Sequence, residues 1–140
     1  MSPVNPARCR SVLIQKTIEQ SMPMKLSAIH HVSINVDDVP AAKKFYVDVL
    51  GCDVLDRPDL GFPGAWLQVG TQQIHLMGMH TGEPLREQHF AFLVDDLEAI
   101  RSELETAGIS LSRSQTIPGV CIQAFTHDPS GNMLEFNQRL

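Results

Sequence analysis

The chain repeats itself, and that repeat limits its fold more than any other feature. His31-Val-Ser-Ile-Asn-Val-Asp-Asp-Val39 aligns with His89-Phe-Ala-Phe-Leu-Val-Asp-Asp-Leu97, 58 positions on. Each copy reads as a histidine, an alternating strand, two aspartates and a helix. Farther along, Gly64-Ala-Trp-Leu-Gln68 aligns with Gly119-Val-Cys-Ile-Gln123 at an offset of 55, and Gln73-Ile-His-Leu76 with Met133-Leu-Glu-Phe136 at 60. The offsets drift because the loops differ in length. Each copy is one supersecondary unit that cannot bury its apolar face alone, so the two must pack against something. Module one spans residues 25–80, a linker with Gly82 and Pro84 spans 80–87, and module two spans 88–140. Residues 1–24, with Pro3, Pro6 and Pro23 and little periodicity, are expected to form a flexible tail.

Within each module the pattern predicts strand, helix, strand, strand, strand. Residues 28–36 alternate as a half-buried strand does. Asp37-Asp38 and Asp95-Asp96 cap the helices, with Pro40 in the first turn of one, where its missing N–H costs nothing. Val39, Ala42, Phe45 and Val49 form one helical stripe and Leu97, Ile100 and Leu104 the other. Gly51 and Gly108 stop them. Gly70-Thr-Gln and Asp128-Pro-Ser-Gly-Asn132 turn the last hairpins. The fold class is α+β, two βαβββ modules in one domain over residues 25–140.

Composition removes several functions. With 11 Lys+Arg against 16 Asp+Glu and no basic run, the chain is unsuited to nucleic acid or an anionic membrane. No apolar stretch approaches the roughly 18 residues of a membrane span. Three separated cysteines, Cys9, Cys52 and Cys121, form no CxxC pair and no disulfide framework. That fits a reducing compartment, and a cytoplasmic protein is expected.

Side chains alternate across a strand. Val32, Ile34 and Val36 share the face that must pack on the helix, which leaves His31 on the other. The same parity places His75, His89 and Glu135 on the non-helix faces of their strands. Four ligand-type residues thus occupy two pairs of repeat-equivalent positions, on first and fourth strands. A carboxylate among Leu134 and Phe136 needs a cation as partner. Three imidazoles and one carboxylate suit a divalent first-row transition metal (Fe, Mn, Co, Ni or Zn) rather than Ca or Mg. His30 is expected to point to the helix side, and neither it nor His80 is a candidate ligand.

The paired modules, the Ile29-His-His-Val32 strand start, the Phe45-Tyr46 to Leu50-Gly51 helix end, and Asp128-Pro-Ser-Gly-Asn132 followed by Met-Leu-Glu135 resemble the vicinal oxygen chelate superfamily over residues 26–138. That group includes glyoxalase I, methylmalonyl-CoA epimerases, extradiol dioxygenases, fosfomycin-resistance transferases and bleomycin-binding proteins. The resemblance implies sheets curved into a cup around a metal held by His31, His89 and Glu135. A fourth ligand, usually Glu or Gln in glyoxalase I and the epimerases, falls on His75. It also implies that His75 and Glu135 are the residues to move protons, and that a homodimer shares its sites between chains.

Parity extends to the lining. Trp66 and Gln68 on the third strand, with Cys121 and Gln123 as counterparts, and His127 farther along, fall on the same faces as the ligands. Arg57 and Arg113 are read as counterparts on the second strands, able to hold a substrate carboxylate or phosphonate. The candidate substrate-binding set is therefore Arg57, Trp66, Gln68, Arg113, Gln123 and His127. Cys121 reads as a small core thiol rather than a nucleophile. The function implied is a metal-dependent lyase or isomerase of glyoxalase type acting on a small carbonyl compound. The alternatives are a non-haem iron dioxygenase on His31, His89 and Glu135, a fosfomycin-type thiol transferase, and a small-molecule binder without turnover.

Overall fold

The computed structural model describes residues 24–79 and 82–140. The expected tail, Met24 apart, and His80 lie outside the described residues. Module one runs β1 (His31–Asn35), α1 (Val39–Lys44), a π-helical turn (Phe45–Val49), β2 (Asp53–Leu55), β3 (Gly64–Val69) and β4 (Gln72–Met77). Module two runs β5 (His89–Leu93), α2 (Leu97–Thr106), β6 (Gln115–Ile117), β7 (Cys121–His127) and β8 (Met133–Arg139). They form two four-stranded mixed sheets, ordered β1-β4-β3-β2 and β5-β8-β7-β6. In each, the first strand lies parallel to the fourth and the rest are antiparallel. The βαβββ unit is present twice, as the repeat requires.

The helix boundaries follow from their caps. Asp38 Oδ1 accepts from the Ala41 N–H at 2.9 Å, and Asp96 Oδ1 from Glu98 and Ala99. Gly51 and Gly108, at φ of 75° and 77°, end the turns in the left-handed region that suits glycine. The first helix departs from the expected period after Lys44. Leu50 N–H donates back five residues to the Phe45 carbonyl at 3.1 Å. This wider turn seats Tyr46, absent from the predicted stripe, at 0% exposure.

The two modules share one apolar interior. Leu134, Phe90, Phe92 and Ile109 of module two pack with Tyr46, Leu67 and Leu76 of module one. Val49 and Leu50 reach across in turn to Leu97, Leu104 and Phe136. A polar latch accompanies the apolar contact, and all of it comes from the Asp128–Asn132 turn. Tyr46 Oη donates to Asp128 Oδ2 at 2.9 Å, Asn132 Nδ2 donates to the Asn35 carbonyl at 2.9 Å, and the Asp37 N–H donates to Ser130 Oγ at 3.0 Å. Asp128, 4% exposed, also accepts from the Ser130 and Asn132 N–H groups, so its buried carboxylate is fully bonded.

Tyr46 is the sole tyrosine, which makes the latch observable. Burial first, then the Asp128 charge, push its phenol far above the ordinary range. A folded-state pKa above the unfolded value adds stability below about pH 10, and that stability is lost as pH rises further. Tyrosinate absorbance in an alkaline titration should therefore appear only together with loss of circular dichroism. A phenol that titrates smoothly near pH 10 in folded protein would contradict the latch.

The sheet register corrects one alignment. His75 lies opposite Trp66, whereas Glu135 lies opposite Phe125. Since His75 and Glu135 are equivalent, the counterpart of Trp66 is Phe125 and that of Gln68 is His127, not Cys121 and Gln123. The glycine match at offset 55 misled because the paired strands stand in register at an offset of 59, for Trp66–Phe125 and for Gln68–His127 alike.

Candidate functional site

The shared interior takes one face of each sheet, and alternation leaves the other face outside. Ala65, Leu67, Ile74 and Leu76 are buried in the first sheet, Ala124, Leu134 and Phe136 in the second. Their strand neighbours His31, Ser33 and Asn35 on β1, and His89, Ala91 and Leu93 on β5, are exposed. The four candidate ligands all lie on these outer faces, as two separate pairs. Among the described residues no group of three or more His, Cys, Asp or Glu side chains is gathered as a metal site.

The module-one pair is a stack of rings. His31 and His75 have centroids 4.1 Å apart at 12°, and Trp66 covers the other face of His75 at 4.6 Å and 13°. His75 Nε2 meets Gln73 Oε1 at 2.8 Å. Burial, then the neighbouring His31, His30 and Arg57, lower the His75 pKa below the usual imidazole range. An imidazole lone pair lies in its ring plane. Two nearly parallel stacked rings therefore cannot both direct lone pairs at one ion until one of them rotates. His30 corrects an expectation: its Nδ1 lies 2.9 Å from His31 Nδ1, so it turns toward the ligand rather than toward the helix.

The module-two pair is tighter. His89 Nε2 lies 2.9 Å from Glu135 Oε2, and Glu135 is only 7% exposed. Asn137 Nδ2 donates to Glu135 Oε1 at 2.8 Å, and Phe125 sets its ring edge-on to His89. His89 Nδ1 meets the Glu87 carbonyl at 2.8 Å. A carbonyl only accepts, so Nδ1 carries the proton in that bond. In a neutral ring Nε2 then presents a lone pair to a carboxylate oxygen, which is repulsive unless a cation stands between them. Either a second ring proton or a metal ion meets that need. The separation also fits: ligands at about 2.1 Å from one ion in adjacent positions stand roughly 3 Å apart. A metal-bound imidazole ordinarily donates its other N–H to a carbonyl or carboxylate, as here.

The remaining candidates distribute unevenly. Arg57 and Arg113 correct the expectation of second-strand positions, because β2 ends at Leu55 and β6 begins at Gln115. Arg57 nevertheless reaches the ligand face. Its guanidinium lies 4.8 Å over the Phe62 ring and donates to the Phe62 carbonyl at 3.0 Å. A Cβ at Gly64 would meet Arg57 Nη2 at 3.0 Å and the Leu76 carbonyl at 2.5 Å, so glycine there leaves room for the arginine. Arg113 is exposed in the loop before β6. Gln68 donates to the Gly70 carbonyl at the hairpin mouth, and Gln123 accepts weakly from the Cys121 thiol at 3.9 Å. His127 is exposed at the end of β7. Cys121 is 3% exposed and Cys52, buried beside Asp53, has its thiol pushed up to about 11, so neither is a nucleophile. The sequence singles out neither Gln73 nor Asn137 as a partner of the ligands. Phe125 has the inward parity of Cys121, Gln123 and His127, and the register sets it opposite Glu135.

A cleft of about 400 Å³ runs between β1 and β5 beneath Gly82–Leu85. It includes His89 but none of His31, His75 and Glu135. The cleft thus touches the module-two pair at His89 and leaves the other three candidate ligands outside.

Comparison with known proteins gives the class. Residues 28–136 match the family described as the glyoxalase/bleomycin resistance protein/dioxygenase superfamily, and the chain belongs to it. It is 32% identical to a protein named Glyoxylase I 4 from Arabidopsis thaliana, over 81% of this chain and 71% of that one. The crystal structure of a glyoxalase family protein from Enterococcus faecalis superposes with a TM-score of 0.70 at 29% identity, covering 81% of this chain and 99% of that one. That of TnmS3, an antibiotic binding protein from Streptomyces sp. CB03234, gives 0.69 at 29%, covering 84% and 100%. No helix among the described residues is long and apolar enough to cross a membrane.

Proposed function

We propose that the chain is a metal-dependent lyase or isomerase of glyoxalase type, acting on a small carbonyl compound in a homodimer whose sites are shared between chains. The observation that supports this reading is the His89–Glu135 pair, where an imidazole nitrogen stands 2.9 Å from a carboxylate oxygen and a metal ion is one of the two ways to satisfy both. His31, His75, His89 and Glu135 would hold a divalent first-row ion, two residues from each chain. When bound, such an ion supplies a Lewis acid for two neighbouring substrate oxygens and stabilises charge that develops on them.

The chain's own residues supply the rest. Glu135 accepts at Oε1 from Asn137, which fixes its plane and leaves Oε2 as the oxygen able to take up or return a proton. His75, paired with Gln73 and kept neutral by its surroundings, is the second proton carrier. Trp66 and Phe125 give the site apolar walls on two sides. Arg57, braced on Phe62, offers an anionic substrate group a cation beside His75. Gln68, Gln123, Arg113 and His127 would line the rim of the site.

The parallel stacking of His31 on His75 favours a second reading with three ligands, His31, His89 and Glu135. That set matches the two-His, one-carboxylate arrangement of non-haem iron oxygenases. The likeness to an antibiotic binding protein supports sequestration without turnover as a third. Metal analysis of protein purified without added metal, followed by paired aerobic and anaerobic substrate screens, separates the three. Anaerobic turnover with Ni, Co or Zn is expected. Turnover only with ferrous iron and dioxygen would replace the lyase with the dioxygenase, and no metal at all would leave the binder.

A further inference from the structure

Among the described residues Glu87 is the one non-glycine residue with a positive φ, at 64°. A side chain there crowds its own carbonyl, so non-glycine residues adopt this region rarely. Asn and Asp tolerate it best, and Glu has no such advantage. Backbone strain of this kind persists where the surrounding structure enforces it, and it concentrates at functional sites. Here it falls two residues before His89, at the start of β5. Beside this strained residue the Glu87 carbonyl turns back and meets His89 Nδ1 at 2.8 Å.

We infer that the left-handed backbone at Glu87 is a positioning device for His89: it aims the Glu87 carbonyl at Nδ1, which fixes the ring's tautomer and directs Nε2 at Glu135. The side chain of residue 87 is not the agent; its peptide oxygen is. A His89 ring free of this bond would rotate about its side-chain torsions and place its proton on either nitrogen. The inference rests on the metal-site reading for its purpose, but its geometry does not need a metal.

A simple chain reversal into β5 would require the same φ, so the test must read the imidazole. In a Glu135→Ala variant the carboxylate no longer competes for Nε2. Long-range proton–nitrogen NMR at a pH where imidazoles are neutral should then find His89 protonated at Nδ1. Adding Glu87→Gly, which tolerates the positive φ and keeps the carbonyl, should leave that signature unchanged. Adding Glu87→Pro, whose ring excludes a positive φ, should return His89 to a mixture dominated by Nε2 protonation. In chains that keep Glu135, Co²⁺ affinity should match wild type for Glu87→Gly and fall about 10–100-fold for Glu87→Pro, the usual cost of losing an outer partner of a ligand. Nε2 protonation in the Glu135→Ala protein with Glu87 intact would overturn the inference, and this measurement holds even if the proline variant fails to fold. Nδ1 protonation in a protein that binds no Co²⁺ would uphold the positioning and remove the metal reading instead.

Discussion

Glu135→Ala is expected to lose metal affinity by more than the ~10–100-fold that removal of an outer partner costs, and with it the stabilisation that metal confers. The carboxylate is the one anionic donor of the candidate set and stands within 2.9 Å of His89 Nε2. Without it, a cation beside His89 keeps its imidazole ligands but no charge to balance its own. Removing a carboxylate that is 7% exposed and bonded to His89 and Asn137 should also lower metal-free stability, an effect present with and without metal. Linkage separates that effect from the loss of metal. Metal at 100 times its Kd adds about 2.7 kcal/mol to the native state, and thermal unfolding with and without Co²⁺ should show that increment in wild type and not in the variant. His89→Ala should behave alike, whereas His127→Ala, an exposed imidazole at the end of β7, should retain the increment. Equal gains on metal addition in all three variants would remove Glu135 and His89 from the site.

Much of this arrangement is legible in the residues. The repeat fixes the number of modules, the aspartate pairs fix where the helices begin, and strand parity places His31, His75, His89 and Glu135 opposite the apolar faces. These are local signals with a period of two or a cap at a defined spacing. What the residues hid is set by non-local geometry. The π-helical turn that buries Tyr46 depends on Asp128, 82 positions away, as its partner. The counterpart of Trp66 is decided by register across a sheet, where strand pairing at an offset of 59 overrides a convincing glycine match at 55. The turn of His30 onto His31 and the return of the Glu87 carbonyl onto His89 belong to loops, where no periodicity applies. That the four candidate ligands form two separated pairs does not follow from parity, which assigns a face but not the direction in which two faces look; only the family resemblance implies it.

That separation has a functional consequence that subunit exchange can test. Because both helix-side faces pack into a common interior, a chain cannot also close its two outer faces on each other. A site using ligands from both modules then requires module one of one chain and module two of another, with two-fold symmetry making two such sites per dimer. His31→Ala damages the module-one half and Glu135→Ala the module-two half, so each homodimer alone is expected to be inactive. In the mixed dimer one site carries both lesions and the other carries none. Exchange of equal amounts makes about half of all dimers mixed, each with one of two sites intact, so about a quarter of wild-type activity or metal capacity should return. Sites closed within a chain would keep one lesion each, and nothing would return. Tags of different kinds on the two variants report whether exchange took place. Demonstrated exchange with no recovery would therefore rule out the shared site, and recovery well above a quarter would mean that the two sites of a dimer do not act independently.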